Sequence, residues 1–158
     1  MSVRVVLGPQ DDHFSPETVA EFLSTPFTIS SDADRMGYRL SGHPLTHQGP
    51  AEIVSDGIVL GSIQVPPHGN PIVMLADRPS VGGYPKIATV ISADVRLVAQ
   101  CRPGMRLRFR VASMAEASPD PLPVEGVRAL LSAMQRAGVA TASLENGARR
   151  VALSRLVQ

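Results

Sequence analysis

Tryptophan is missing from this sequence, and phenylalanine and tyrosine bring the aromatic share to only 4%. A core without large rings has to be assembled from Val, Leu, Ile and Ala, which supply most of the 44% apolar content. With Cys101 as the single cysteine, no internal disulfide can form, so the fold does not depend on oxidation and a cytoplasmic location is expected. Neither sign of charge dominates: 15 basic residues against 14 acidic ones give no electrostatic ground for binding nucleic acid or an anionic membrane. The apolar run that opens the chain, residues 3–7, is too short for a signal peptide or a membrane span. There is no internal repeat and no low-complexity stretch.

What is abundant is glycine, at 13, and proline, at 14. That mix favours many short elements over a few long helices. A chain of 158 residues is one domain's worth and can bury a real core.

Residues 3–7 are a β-branched run closed by Gly8-Pro9 and read as a first strand. Asp11, Asp12 and His13 follow in a turn; adjacent residues on a turn rarely converge on one metal ion, so they are read as solvated. Ser15-Pro16-Glu17 is a helix start, with Ser15 at the N-cap and Pro16 in the first turn, and the helix runs to about Ser24, burying Val19, Phe22 and Leu23. Short strands are expected at 27–30 and 36–40; in the second, Tyr38 shares a face with Leu40 and Arg39 lies on the other. Residues 42–50 are an irregular loop whose prolines deny His43 and His47 the helical spacing of a zinc pair. Asp56-Gly57 reads as a turn between β-type segments, and in residues 62–65 Ser62 and Gln64 share a face.

Residues 72–76 form a continuous apolar strand, residues 87–91 another, and residues 93–100 carry helical spacing. Cys101 follows at the helix end and reads as a packed thiol, since no histidine lies near it in sequence to activate it. Residues 105–111 alternate apolar and basic side chains, which marks a half-buried strand with arginines on its solvated face. The proline-rich stretch 116–123 is the expected boundary between a domain at 1–115 and an extension at 116–158 made of a linker, an amphipathic helix ending near Gly138 and a hairpin centred on Asn146-Gly147.

Between the two apolar strands lies the densest chemistry of the chain. Pro79 and Pro85 bracket a loop in which Gly82-Gly83 permit close backbone approach and Asp77, Arg78, Ser80, Tyr84 and Lys86 supply polar heads. Its composition is equally that of a tight turn and that of a ligand loop.

Four ordered stretches resemble one family: Arg35-Met36-Gly37-Tyr38-Arg39-Leu40, Ser55-Asp56-Gly57-Ile58-Val59, Gly61-Ser62-Ile63-Gln64-Val65-Pro66, and Ala76-Asp77-Arg78 with Gly82-Gly83-Tyr84-Pro85-Lys86-Ile87-Ala88. Together with Gly8-Pro9-Gln10-Asp11-Asp12 they look like the carboxyl-terminal half of the KipA, or allophanate hydrolase subunit 2, family, which includes the C subunit of 5-oxoprolinase and the carboxyltransferase region of urea carboxylase. The resemblance implies a mainly β fold, a cyclophilin-like closed barrel of about eight strands with one or two short helices. It also implies a KipI-like, allophanate hydrolase subunit 1 partner, a small amide or lactam substrate, and ATP used through the complete complex. Neither a metal set nor a biotin site is evident. Ser80-Val81 departs from the family's usual pair of hydroxyls, Leu60 stands where proline is frequent, and residues after Pro123 match nothing in it.

Carried over by position, Asp77, Lys86 and Arg39 are the expected catalytic residues: Lys86 and Arg39 to stabilise negative charge, Asp77 to orient Lys86 or accept a proton. Arg35, Tyr38, Ser55, Gln64, Ser80, Gly82, Gly83 and Tyr84 are the expected substrate contacts, with Gln64 and Tyr84 on the amide. Two functions fit this set. One is a component of an ATP-dependent 5-oxoprolinase or allophanate-hydrolase-like amidohydrolase; the other is a non-catalytic regulatory module that, like KipA, antagonises a kinase inhibitor.

Overall fold

In the computed structural model residues 1–117 are described. They contain the strands β1 (Ser2–Leu7), β2 (Phe27–Ile29), β3 (Gly37–Ser41), β4 (Asp56–Gly57), β5 (Ser62–Gln64), β6 (Ile72–Met74), β7 (Val81–Gly82), β8 (Lys86–Val90) and β9 (Arg106–Val111), and the helices α1 (Pro16–Ser24), α2 (Ser92–Val98) and α3 (Met114–Ala117). The helix and hairpin expected at 124–138 and 139–157 lie outside the described residues. Residues 1–117 belong to one compact unit.

Seven strands close a barrel in the order β1-β8-β5-β6-β3-β2-β9, and β4 and β7 form a separate two-stranded sheet. The barrel thus has one strand fewer than the eight or so expected. Within it β1 and β9 run parallel, Val3 opposite Phe109 and Val5 opposite Val111, while the other neighbours are antiparallel. The alternation in the sequence sets the faces. Val3 and Val5 on β1 and Leu107 and Phe109 on β9 point into the core, whereas Arg106, Arg108 and Arg110 remain exposed.

Helix α1 covers part of this core. Ser15 caps it by accepting a hydrogen bond from the Thr18 amide at 3.2 Å, and Pro16 takes the first helical position, where no amide donor is needed. Phe22, fully buried, stacks on Phe109 with ring centroids 4.7 Å apart and meets Phe27 at 6.1 Å. Burying each of these rings contributes about 2–3 kcal/mol. Val19 and Leu23 pack against the core at its margin, and Thr18 takes the other buried position.

Asp56-Gly57 departs from its expected role as a turn. Both residues form β4 and pair with β7, Asp56 opposite Gly82 and Gly57 opposite Val81. Bonds from Ile53 N to Gly83 O at 2.8 Å and from Ile58 N to Ser80 O at 2.9 Å extend the pairing at either end. The glycine-rich loop after β6 is therefore one half of a small strap, and the segment before β5 is the other.

Candidate functional site

The strap lies over the side of β5 that faces away from the core. Ile63 and Val65 join the core cluster, and the intervening Gln64, with Ser62, points the opposite way. Gln64 is nevertheless only 4% exposed. Gly82 explains why: a Cβ there would stand 2.8 Å from Gln64 Nε2 and 2.6 Å from Ile58 Cδ1, so the bare backbone of β7 rests against the amide. Gln64 Nε2 donates to the Tyr84 carbonyl at 3.4 Å, and its amide oxygen accepts no hydrogen bond among the described residues.

Lys86 stands opposite Gln64 on β8, across a register shift between Ile63 and Gln64. Its side chain is 2% exposed, and its ammonium donates to Asp56 Oδ2 at 2.8 Å. Asp56 belongs to the strap and is half exposed. Its carboxylate also accepts from the Gly57 amide at 2.7 Å and from Gln10 Nε2 at 3.2 Å. The bond from Lys86, followed by those from Gly57 and Gln10, holds the Asp56 carboxyl below its ordinary value of 3.8. Gln10 closes the circuit, because its side-chain oxygen accepts from the Lys86 amide at 3.2 Å. Arg78 braces the strap, donating to the carbonyls of Ile58 and Leu75 at 3.1 and 3.3 Å.

Two expected contacts are corrected by this arrangement. The carboxylate beside Lys86 is Asp56, not Asp77. Asp77 pairs instead with Arg35, at 3.0 Å to Nε, and both side chains are largely in solvent. Tyr38, expected in the cleft, has its hydroxyl on the carbonyls of Ala99 and Cys101 at 3.2 and 3.1 Å, and packs against the core. Its neighbour Arg39 lies on the other face, opposite Ile72, which is itself opposite Gln64. Lys86, Gln64, Ile72 and Arg39 therefore make one row across four strands. At its far end Arg39 donates to the Asp32 carbonyl at 2.9 Å and borders a cleft of about 320 Å³ with Ser41, His68, Asn70 and Ile72.

Ser55 and Ser80 are exposed, and no side-chain hydrogen bond ties either to another described residue; Tyr84 is exposed and meets Gln64 through its carbonyl. Gly83 pairs with Ile53 in the strap. Cys101 is buried, and burial pushes its thiol up from the ordinary value of 9.0, away from nucleophilic duty. Among the described residues no group of three or more His, Cys, Asp or Glu side chains is placed to hold a metal ion. No helix among them is long and apolar enough to cross a membrane. Sequence reasoning missed Gln10 and Asp56 as site residues, although both lie inside the stretches that carry the family resemblance; the contact to Lys86 comes from Asp56 and not from its neighbour Ser55.

Comparison with known proteins decides the family. Residues 1–111 match the profile of the carboxyltransferase domain, subdomain A and B. The chain belongs to this family. Over 116 residues it is 48% identical to the C subunit of 5-oxoprolinase from Haemophilus influenzae, a match covering 73% of this chain and 38% of that protein. Over 115 residues it is 38% identical to the Escherichia coli protein of the same name, covering 73% and 37%. Among solved structures, Kluyveromyces lactis urea amidolyase superposes with a TM-score of 0.70 at 25% identity, covering 73% of this chain and 8% of that one. The chain thus spans less than two fifths of the curated relatives it matches. The carboxyltransferase-domain family also agrees with the relationship read from the motifs, with the closed barrel as its frame.

Proposed function

We propose that this carboxyltransferase-family chain is a component of an ATP-dependent hydrolase of the 5-oxoprolinase type, acting on a non-peptide C–N bond of a small amide or lactam together with a KipI-like subunit. The observation that carries the reading is the buried Lys86 ammonium beside Gln64, under a strap whose glycines leave room for close approach. A positive charge excluded from water is well suited to hold the negative charge of a carboxylate or of a phosphoryl group donated by ATP, because the low-dielectric surroundings strengthen the attraction. A side-chain amide beside it can accept from the substrate N–H and donate to its carbonyl. Lys86 takes the anion, Gln64 and the Tyr84 backbone hold the amide, and Asp56 is the counterion of the ammonium. Arg39, three strands along the same row, is the second cation, with Asp77 and Arg35 as an outlying pair. Ser55, Ser80, Gly82 and Gly83 contribute through the strap.

The partner reading is supported by the same strap. Val54, Val59, Leu60 and Val81 expose 92%, 58%, 43% and 57% of their surface there, a concentration of apolar side chains suited to a protein contact. Residues 1–115 are the barrel domain in this proposal and 116–158 an extension.

The test is phosphate release dependent on both ATP and 5-oxoproline, measured for the chain alone and with the KipI-like protein and the remaining members of the complex. Turnover that requires the complex and disappears in Lys86→Ala is expected. Tight complex formation with no turnover in any combination would replace the enzyme reading by the regulatory one.

A further inference from the structure

We infer that Lys86 anchors a carboxylate-binding site and that Asp56 is its built-in competitor: a ligand carboxylate takes the place of Asp56 on the Lys86 ammonium. The inference deepens the function proposed above and rests on it for the identity of the ligand, though not for the exchange itself.

The two partners of this ion pair are unequally committed. Lys86 is 2% exposed and has nowhere else to go, whereas the Asp56 side chain is 51% exposed. An ammonium carries three N–H donors, and the described residues offer this one a single acceptor, Asp56 Oδ2 at 2.8 Å. Asp56 loses little by leaving. Its other bonds, from the Gly57 amide and from Gln10 Nε2, are exposed, so water can replace them. Its strand is two residues long, both of them exposed, and pairs with a strand of two. The half-exposed side chain can swing into solvent by rotation about its own bonds while the strap stays paired.

Charge decides what can make the exchange. Removing Asp56 without replacement would leave a buried cation unpaired, which is strongly unfavourable; an incoming anion keeps the count of charges around Lys86 unchanged. A neutral ligand cannot compete on those terms. Gln64, paired with Lys86 across the sheet and only 4% exposed, adds a side-chain amide whose Nε2 lies against the strap. The ligand class is therefore a small carboxylate; under the function proposed above it is a carboxylated lactam, whose amide group meets the Gln64 amide.

Binding to the full chain is measured by calorimetry and by thermal shift with three probes: 5-oxoproline, the uncharged 2-pyrrolidinone, and acetate. Wild type is expected to bind 5-oxoproline and not 2-pyrrolidinone. Asp56→Asn is expected to bind 5-oxoproline at least about fivefold more tightly, and to gain a larger rise in Tm from it, because the competitor is gone and the ligand restores the lost counterion. Lys86→Met is expected to abolish binding; should that variant fail to fold, the Asp56→Asn comparison alone decides. Titration of wild type should also shift the amide resonance of Gly57, which is released with Asp56. Failure of both 5-oxoproline and acetate to bind more tightly to Asp56→Asn than to wild type, or binding of 2-pyrrolidinone equal to that of 5-oxoproline, overturns the inference. If acetate tightens in Asp56→Asn while 5-oxoproline is neither bound nor turned over, the exchange stands and the oxoprolinase reading falls.

Discussion

Arg4 holds Asp94 with three of its donors: its backbone amide at 2.8 Å and its side-chain Nε at 3.0 Å reach Oδ2, and NH2 reaches Oδ1 at 2.6 Å. Asp94 is buried in the first turn of α2, where a negative charge is also favoured by the helix dipole, and the contact fastens that helix to the outer side of β1. The side-chain bond from Arg4, opposed by desolvation, keeps the Asp94 carboxyl below its ordinary value of 3.8. Asp94→Asn keeps the shape and loses the charge; it is expected to lower the Tm by roughly 5 °C. Because the folded-state value is depressed, the stabilisation is complete above pH 3.8 and is lost as pH falls through the folded value. Thermal melts from pH 6 down to pH 2 should therefore converge for wild type and variant at the acid end.

Gly82 and Gly57 face each other's strands in the strap but have opposite surroundings. A Cβ on Gly82 would collide with Ile58 and Gln64, whereas one on Gly57 meets nothing within 4 Å. Gly82→Ala is expected to cost about 1–2 kcal/mol in stability and to raise KM in the complete complex several-fold by shifting Gln64. Gly57→Ala should leave both within about 0.5 kcal/mol and a factor of two. Denaturant titration and steady-state kinetics on the pair separate crowding at Gln64 from a general effect of stiffening the strap.

Lys86→Met tests whether the buried charge serves stability or function. Lys86→Met removes a buried charge, and its partner Asp56, half exposed, can turn to water, so no charge is left buried and unpaired. The Tm is expected to stay within about 3 °C of wild type or to rise, while turnover is lost. A large fall in Tm together with retained turnover would assign Lys86 to the scaffold.

The barrel strands were legible because each carries its own pattern. Arg106–Val111 alternates basic and apolar residues, and Ser15-Pro16 marks a helix start that needs no distant partner. The strap was not legible, since two-residue strands have no period to read and Asp56-Gly57 has the composition of a turn. The pairing of Asp56 with Lys86 spans thirty residues and depends on where the strap folds, which local chemistry does not encode. Tyr38 shows the two kinds of reasoning diverging. Strand alternation put it beside Leu40 and away from Arg39, as the structure has it; transfer from the family put it in the cleft.

The parallel pairing of β1 with β9 joins the first strand of the described chain to its last, and Met1 adds a bond from its amino group to the Arg106 carbonyl at 2.8 Å. During synthesis β1 and β2 emerge more than seventy residues before β9. Until then both present unpaired backbone edges, and no earlier segment can close the ring. The cylinder is consequently an all-or-nothing object for the ribosome: chains cut short before Arg106 should be substrates for chaperones and proteases rather than smaller versions of the domain.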